Sequence, residues 1–422
     1  MTATAGPLEA RIFAEVKKLM PELVDFLQAM VRIPTVNPPG DNYAACAELI
    51  GRRYQLLGYE TVQIAANDHP DHSRRYPRVN VIGRLRGSGP GPCLHYNGHL
   101  DVVPAGAGWT VDPFAAVVHD DKVWGRGTCD MKGGIAASLY AIEALRRAGA
   151  TLIGTVEQSA TVDEETGGFA GVAYLAERGI LAHGKQQHVV ITEPLNPDRI
   201  CLGHRGVWWF DLTVHGRTAH GSMPFLGQSA IANMAQVIAE LHGPYAARLL
   251  TRRSALPVVP DGARHPTLNI NGIAGGQALA PVQSPCVADR CTIVVDRRFL
   301  SEENLDDVRA ELQAALTSLG LPFEVVDRMI VHPTHTRDDA PIVQALQAGI
   351  SRVFTRDATL VASPGTYDQK HFSRLAGIHE AVAYGPGQLD LAHQPDEHVS
   401  LADLEAATAV MALSAAQLLT VR

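Results

Sequence analysis

Short apolar runs alternate with helix-length amphipathic stretches over most of this chain, and that alternation restricts the fold more than any other feature. Over residues 8–31, Leu8, Ile12, Val16, Leu19, Leu23 and Leu27 fall near one face, the spacing of a helix. Pro21 inside the span predicts either a kink or the first position of a second helix. Prolines 34, 38 and 39 end the pattern in the loop RIPTVNPPGDN. A helix is expected from about Asn42 to Leu57, and the runs TVQIAA, RVNVIGRL and PCLHYNGHLDVVP read as strands. Next come a helix over 131–148 stopped by Gly149, the strand TLIGTVEQSATV, a helix over 169–179 and the strand HVVITEP. Strands alternating with helices predict an α/β fold, a mainly parallel sheet covered by helices.

The pattern changes after GHRG, residues 203–206. VWWFDLTVHGRT reads as an amphipathic strand, followed by a helix near 228–243, a turn-rich stretch, the strand CTIVVDRRFL at 291–300 and a helix at 302–319. This order fits a small α+β insert with an antiparallel sheet. The expected organisation is therefore one α/β domain, residues 1–206 plus 321–422, interrupted by an insert at 207–320. The final hundred residues return to α/β alternation and end in a helix over about 401–419.

With 422 residues, 46% hydrophobic and 19% charged, the chain can bury cores for two domains. A net charge of −8 without a basic stripe argues against nucleic-acid binding. The first twenty residues lack a continuous apolar stretch of signal type, and no run approaches the roughly 20 apolar residues of a membrane span. The cysteines at 46, 93, 129, 201, 286 and 291 form no CxxC pair, as in a reduced cytoplasmic protein; a Cys286–Cys291 bridge is the alternative to two buried thiols.

Five segments carry chemistry, each at an element end beside turn residues. In HYNGHLDVVP, His99 and Asp101 share a face of an extended segment. Glycines crowd Asp130 in WGRGTCDMKGG; a helix N-cap is the plain alternative there. TVDEETGG sets Glu164 beside Glu165 with no basic residue close in sequence, ITEPLN carries Glu193, and AYGPGQLDLAHQPDEH carries His393. Loops at the carboxyl edge of a parallel sheet converge where ligands bind. Mixed His/Asp/Glu sets suit zinc or similar divalent ions, and a pair of ions bridged by one carboxylate is a common hydrolytic device.

The ordered set HYNGHLDVVP, WGRGTCDMKGG, TVDEETGG, ITEP, GHRG, GRTAHGSMP and GPG with AHQPDE resembles the M20 metallopeptidase family. That family includes acetylornithine deacetylase, succinyl-diaminopimelate desuccinylase, aminoacylase and carboxypeptidases. The resemblance covers nearly the whole chain, including NPPG near the start and DRRFL in the insert. It implies two divalent metal ions, zinc first, with cobalt or manganese as alternatives. His99 and Glu193 would hold one, Glu165 and His393 the other, and Asp130 would bridge them. Asp101 would orient His99, and Glu164 would be the general acid/base. His220 in GRTAH matches an oxyanion donor that often reaches the partner subunit's site. Arg205, Asn269 and Arg298 match positions that bind a substrate carboxylate, and Gly365 and Thr366 shape the pocket floor. The insert would act as a lid and form a homodimer.

Two departures bear on the substrate. Pro285, in SPCVADRC, stands where many relatives have the Asn of an Asn-Val-Val-Pro run, and PGTYDQKH at 364–371 replaces Gly-Gly-Thr-Asp. All five ligand positions and Glu164 are filled. The expected activity is hydrolysis of the amide bond of an N-acyl amino acid. The alternatives are a dipeptidase or carboxypeptidase with the same machinery, and a non-catalytic binding protein of the same fold.

Overall fold

Ile12, Val16, Leu19, Leu23, Phe26, Leu27 and Met30 recur at three- and four-residue spacing, and all are buried along one helix, Pro7–Val31. The helix runs through Pro21, which lies on the exposed side. The computed structural model describes residues 7–276 and 285–420. Residues 1–6, part of the stretch expected to lack a leader, lie outside the described residues, as does Ser284 of SPCVADRC.

The chain forms two compact units. The first comprises the described residues through Gly203, Thr336–Leu360, and Tyr367 onward; the second comprises His204–His335 and Val361–Thr366. In the first, strands Glu60–Ala65, Val79–Arg86, Thr155–Thr161, Cys93–His99, His188–Ile191, Ala381–Ala383 and Arg199–His204 lie side by side in that order. The sheet is mixed. Cys93–His99 pairs in parallel with both neighbours, and Ala381–Ala383 continues that direction, while the flanking pairs are antiparallel. The parallel arrangement predicted from alternation therefore holds at the centre, where helices make the crossovers. All seven residues of Cys93–His99 are buried, as expected of a strand covered on both faces.

Helices Pro7–Val31, Gly133–Arg147, Pro341–Phe354 and Leu401–Leu419 pack on one another, and Tyr43–Leu56 packs on Val79–Arg86. By length and hydropathy Leu401–Leu419 matches a membrane span, a point the sequence reading missed. Here it is a core helix, burying Leu404, Val410, Met411 and Leu419. Lys132 caps Pro7–Val31 from outside it: its buried ammonium donates to the carbonyls of Met30 and Ile33 at 3.0 and 3.1 Å.

The second unit has a four-stranded antiparallel sheet ordered Thr267–Gly275, Arg290–Phe299, Gly206–His215, Phe323–Val331. Alternate residues Trp208, Phe210, Leu212 and Val214 face helices Ala230–Glu240 and Leu305–Thr317 in one apolar cluster. Strand Phe323–Val331 pairs with Gly206–His215, so this unit runs past 320.

Candidate metal centre and active site

Three parallel strands deliver most of the site. His99 lies opposite Thr161, and Asn97 opposite Ile191, so the carboxyl ends of the strands carrying these residues share one edge. His99 closes the central strand. Glu164 and Glu165 follow Thr161 in a short turn, and Glu193 follows Ile191. Ala381–Ala383, parallel to His188–Ile191, leads into the Gly/Pro loop that bears His393. Asp130 sits in an irregular turn ahead of helix Gly133–Arg147, with non-helical backbone at Asp130 and Met131.

Asp130 stands at the centre. Its Oδ1 lies 3.1 Å from His99 Nε2, and its Oδ2 3.2 Å from His393 Nε2. His393 Nε2 is also 3.1 Å from Glu165 Oε2, and His99 Nε2 is 4.0 Å from Glu193 Oε1. The five residues picked out as ligands thus meet in two halves, with one oxygen of Asp130 facing each imidazole. Ligand atoms of His99, Asp130 and Glu165 lie within 4.8 Å of one another, as do those of His99, Glu164 and Glu193.

The charges of this cluster favour cations. Burial, and then the charge of Asp130, raise Glu165 to about 7 and push Glu193 well above the carboxylate range. His393 is raised to about 10 by its bonds to Asp130 and Glu165. Burial works against a charged His99, yet the carboxylates around it, Asp130 foremost, hold it well above the usual histidine value. Burial also opposes ionisation of Asp130, but hydrogen bonds from His393 and His99 keep its carboxyl below the ordinary range. Carboxylates crowded this closely favour positive charge between them, which divalent cations on the same donors would supply.

Asp101 meets His99 through its backbone and holds more than the histidine. His99 Nδ1 donates to the backbone carbonyl of Asp101 at 3.0 Å, while the carboxylate stands 3.6 Å away. A carbonyl only accepts, so Nδ1 carries a proton, and Nε2, the nitrogen that faces Asp130, is the one that would bind a metal on giving up its own proton. The Asp101 carboxylate accepts from Asn37 Nδ2 at 3.0 Å and from the backbone N–H groups of Glu164 and Glu165 at 3.3 and 3.2 Å. Asp101 therefore shapes the glutamate pair as well as the histidine.

Glu397 has no assigned role in the sequence reading, although it lies four residues past His393 in the quoted AHQPDEH. It is wholly buried. Its Oε1 accepts from the N–H groups of Gly127, Cys129 and Asp130 at 3.0, 2.9 and 3.0 Å, and its Oε2 accepts from buried Arg126 at 2.5 Å. One carboxylate thereby ties the Asp130 turn to the His393 loop. Its only signal in sequence is an acid beside a candidate ligand, which is too common to single out.

The remaining candidates belong to the second unit. His220 is exposed, with Nδ1 on the hydroxyl of Ser222 at 2.7 Å. Arg205 is buried, and its guanidinium donates to the carbonyls of Pro364, Ala263 and His265 at 3.1–3.2 Å. That fork holds backbone, including the residue before Gly365 and Thr366, rather than standing free for a substrate carboxylate. Burial, and then the charge of Arg298, lower its pKa to about 10. Arg298 makes a bidentate pair with Asp296 at 2.7 and 3.1 Å. Asn269 bonds to Asn271 on strand Thr267–Gly275. Gly365 N–H donates to Ser363 Oγ at 3.2 Å, and Thr366 is half-buried.

Known proteins resemble this chain in sequence and in fold. A succinyl-diaminopimelate desuccinylase of Gluconacetobacter diazotrophicus is 30% identical over 389 residues, covering 91% of this chain and 93% of its own. An M20 family metallo-carboxypeptidase from Sulfolobus solfataricus shares the fold with a TM-score of 0.72 at 20% identity, over 94% of this chain and 99% of that one. A Bacillus subtilis dinuclear metal-binding peptidase of the same family has a TM-score of 0.66 at 16% identity, over 95% and 98%. The sequence profile of peptidase family M20/M25/M40 matches residues 95–417, and the chain belongs to that family.

Proposed function

We propose that this protein is a di-metal amidohydrolase that cleaves the amide bond of an N-acyl amino acid, releasing a carboxylate and an amine. The observation that carries this reading is Asp130, whose two oxygens face two different imidazoles at 3.1 and 3.2 Å. The donor set fits a pair of divalent ions: His99 and Glu193 would hold one, His393 and Glu165 the other, and Asp130 would be shared by both. Zinc suits these nitrogen and oxygen donors, as do cobalt and manganese. When bound, the metals make water acidic near neutral pH and polarise the scissile carbonyl.

The chain's own part is proton transfer and placement. Glu164, next to Glu165 in sequence and within 4.8 Å of the His99 and Glu193 donors, accepts the proton of the attacking water at a carboxylate oxygen. It returns that proton to the amine nitrogen as the C–N bond breaks. Asp101 fixes the backbone from which Glu164 and Glu165 project. In the second unit, His220 is assigned to the developing oxyanion, and Arg298, Asn269, Gly365 and Thr366 to the rest of the substrate. Arg205 acts by holding Pro364, and Arg298 must exchange Asp296 for a substrate carboxylate. The second unit is also assigned the roles of lid and homodimer interface; a monomer mass by light scattering would remove the latter.

The desuccinylase names among the relatives support an acyl amino acid. The carboxypeptidase and human carnosine dipeptidase 1 among the structural neighbours support a dipeptide as the second reading. Amine release from a panel of N-succinyl, N-acetyl and N-formyl amino acids and dipeptides separates the two. Glu164→Gln is expected to lose at least roughly 100-fold in kcat while binding metal as the parent does. Unchanged turnover in that variant removes Glu164 from its role.

A further inference from the structure

The three consecutive acids of TVDEETGG each face a different cation. Asp163 pairs with Arg78 at 3.0 Å and accepts from the Tyr43 hydroxyl at 2.8 Å. Glu165 faces His393. Glu164 faces Lys370, whose Nζ lies 3.7 Å from its Oε1, with side chains only 8% and 11% exposed. A buried lysine ammonium is costly to keep without a compensating charge. Nothing in the proposed chemistry has yet used Lys370.

Lys370 belongs to the short helix Gln369–Arg374, and two more contacts clamp this segment to the glutamate loop. His371 Nε2 donates to the carbonyl of Gly167 at 2.7 Å. Gly168, at φ +77°, lets Asp368 come so close that a Cβ there would stand 2.5 Å from Asp368 Oδ1. Asp368 is itself buried and accepts from Asn97 Nδ2 at 3.4 Å, two residues before His99. The segment 364–371, where the chain departs from the family's usual Gly-Gly-Thr-Asp, therefore includes the platform on which the glutamate pair rests.

Glu164 has reason to need such a hold. Its carboxylate lies within 4.8 Å of the ligand atoms of His99 and Glu193, close enough to compete as a ligand. A cation on Oε1 offsets that pull. We propose that Lys370 is the positioning residue of Glu164: its ammonium, carried by the clamped helix, holds one carboxylate oxygen so that the group stays out of the metal ligand set and presents its other oxygen to the reacting water. This rests on the reading of Glu164 as the base.

The test is steady-state amide hydrolysis by Lys370→Met, Lys370→Gln and Lys370→Arg, with metal content measured on each. Both neutral variants are made so that a folding failure in one leaves the other. The expected result is a fall in kcat of roughly 10- to 100-fold in the neutral variants, with KM within about twofold, metal content unchanged, and most of the rate restored by arginine. In a Glu164→Asp background, whose shorter side chain cannot meet the ammonium, Lys370→Gln should cost less than about threefold. Parent kcat in the neutral variants overturns the proposal. So does an equal loss in both backgrounds, or a loss that tracks missing metal. If Glu164→Gln itself keeps parent turnover, the assignment of the base fails, and that result is read without reference to Lys370.

Discussion

At the scale of single residues, neighbours of one type are given different partners. Glu164 and Glu165 are adjacent in sequence, and their partners separate them: a lysine for one, a histidine and the bridging side of the metal centre for the other. The residues proposed as ligands were legible as candidates in the sequence because each sits at a strand end or glycine-rich turn. Their supports were not, because Asn37, Arg78, Lys370 and Glu397 are distant in sequence from what they hold. Glu397→Ala would strand three backbone N–H groups and the Arg126 guanidinium in the interior. It should lower metal affinity roughly 10- to 100-fold in a calorimetric titration. It should also lower unfolding free energy by about 3–5 kcal/mol, the usual effect of breaking a buried pair. Parent affinity in that variant would show that the tie between the two ligand loops is dispensable.

At the scale of elements, the end of strand His188–Ile191 and the helix Gly133–Arg147 must come very close for Glu193 and Asp130 to meet. Gly134 makes this possible: a Cβ there would stand 2.1 Å from the carbonyl oxygen of Thr192, next to Glu193. Backbone cannot yield as a flexible side chain does, so Gly134→Ala should cost at least about 1–3 kcal/mol of stability by urea denaturation and weaken metal binding. On strand Thr155–Thr161, buried Glu157 accepts from Arg84 Nε at 2.7 Å and Gln186 at 2.7 Å and lies 3.1 Å from His95 Nδ1. Burial opposes its ionisation, but these bonds, that from His95 foremost, win and lower its pKa to about 2. A depressed folded-state value contributes stability above the unfolded value near 4.5, and that stability is lost as pH falls toward about 2. On the order of 3 kcal/mol should disappear over that window, and Glu157→Gln should flatten this part of the stability–pH curve. Helix boundaries were the least legible features. Residues 169–179, expected as one helix, are regular only over Tyr174–Glu177, because wide turns at 169–173 fit the chain beneath the glutamate loop.

At the scale of the whole molecule, the alternation of strands and helices foretold an α/β unit interrupted by an α+β segment. It did not foretell that strand Phe323–Val331 completes the second sheet, since half-exposed residues there blur the apolar pattern. The antiparallel flanks of the first sheet were hidden for a related reason: alternation reveals that strands and helices follow one another, and not which edge a strand joins. The central claim is that the residues assembled at the carboxyl edge of this sheet hydrolyse an amide bond with two metal ions. Its most direct test is amine release from N-succinyl and N-acetyl amino acids by chelator-stripped protein titrated with zinc. The account predicts no release from stripped protein and a return of activity that levels off at about two ions per chain. Undiminished hydrolysis by protein shown to hold no metal would contradict it.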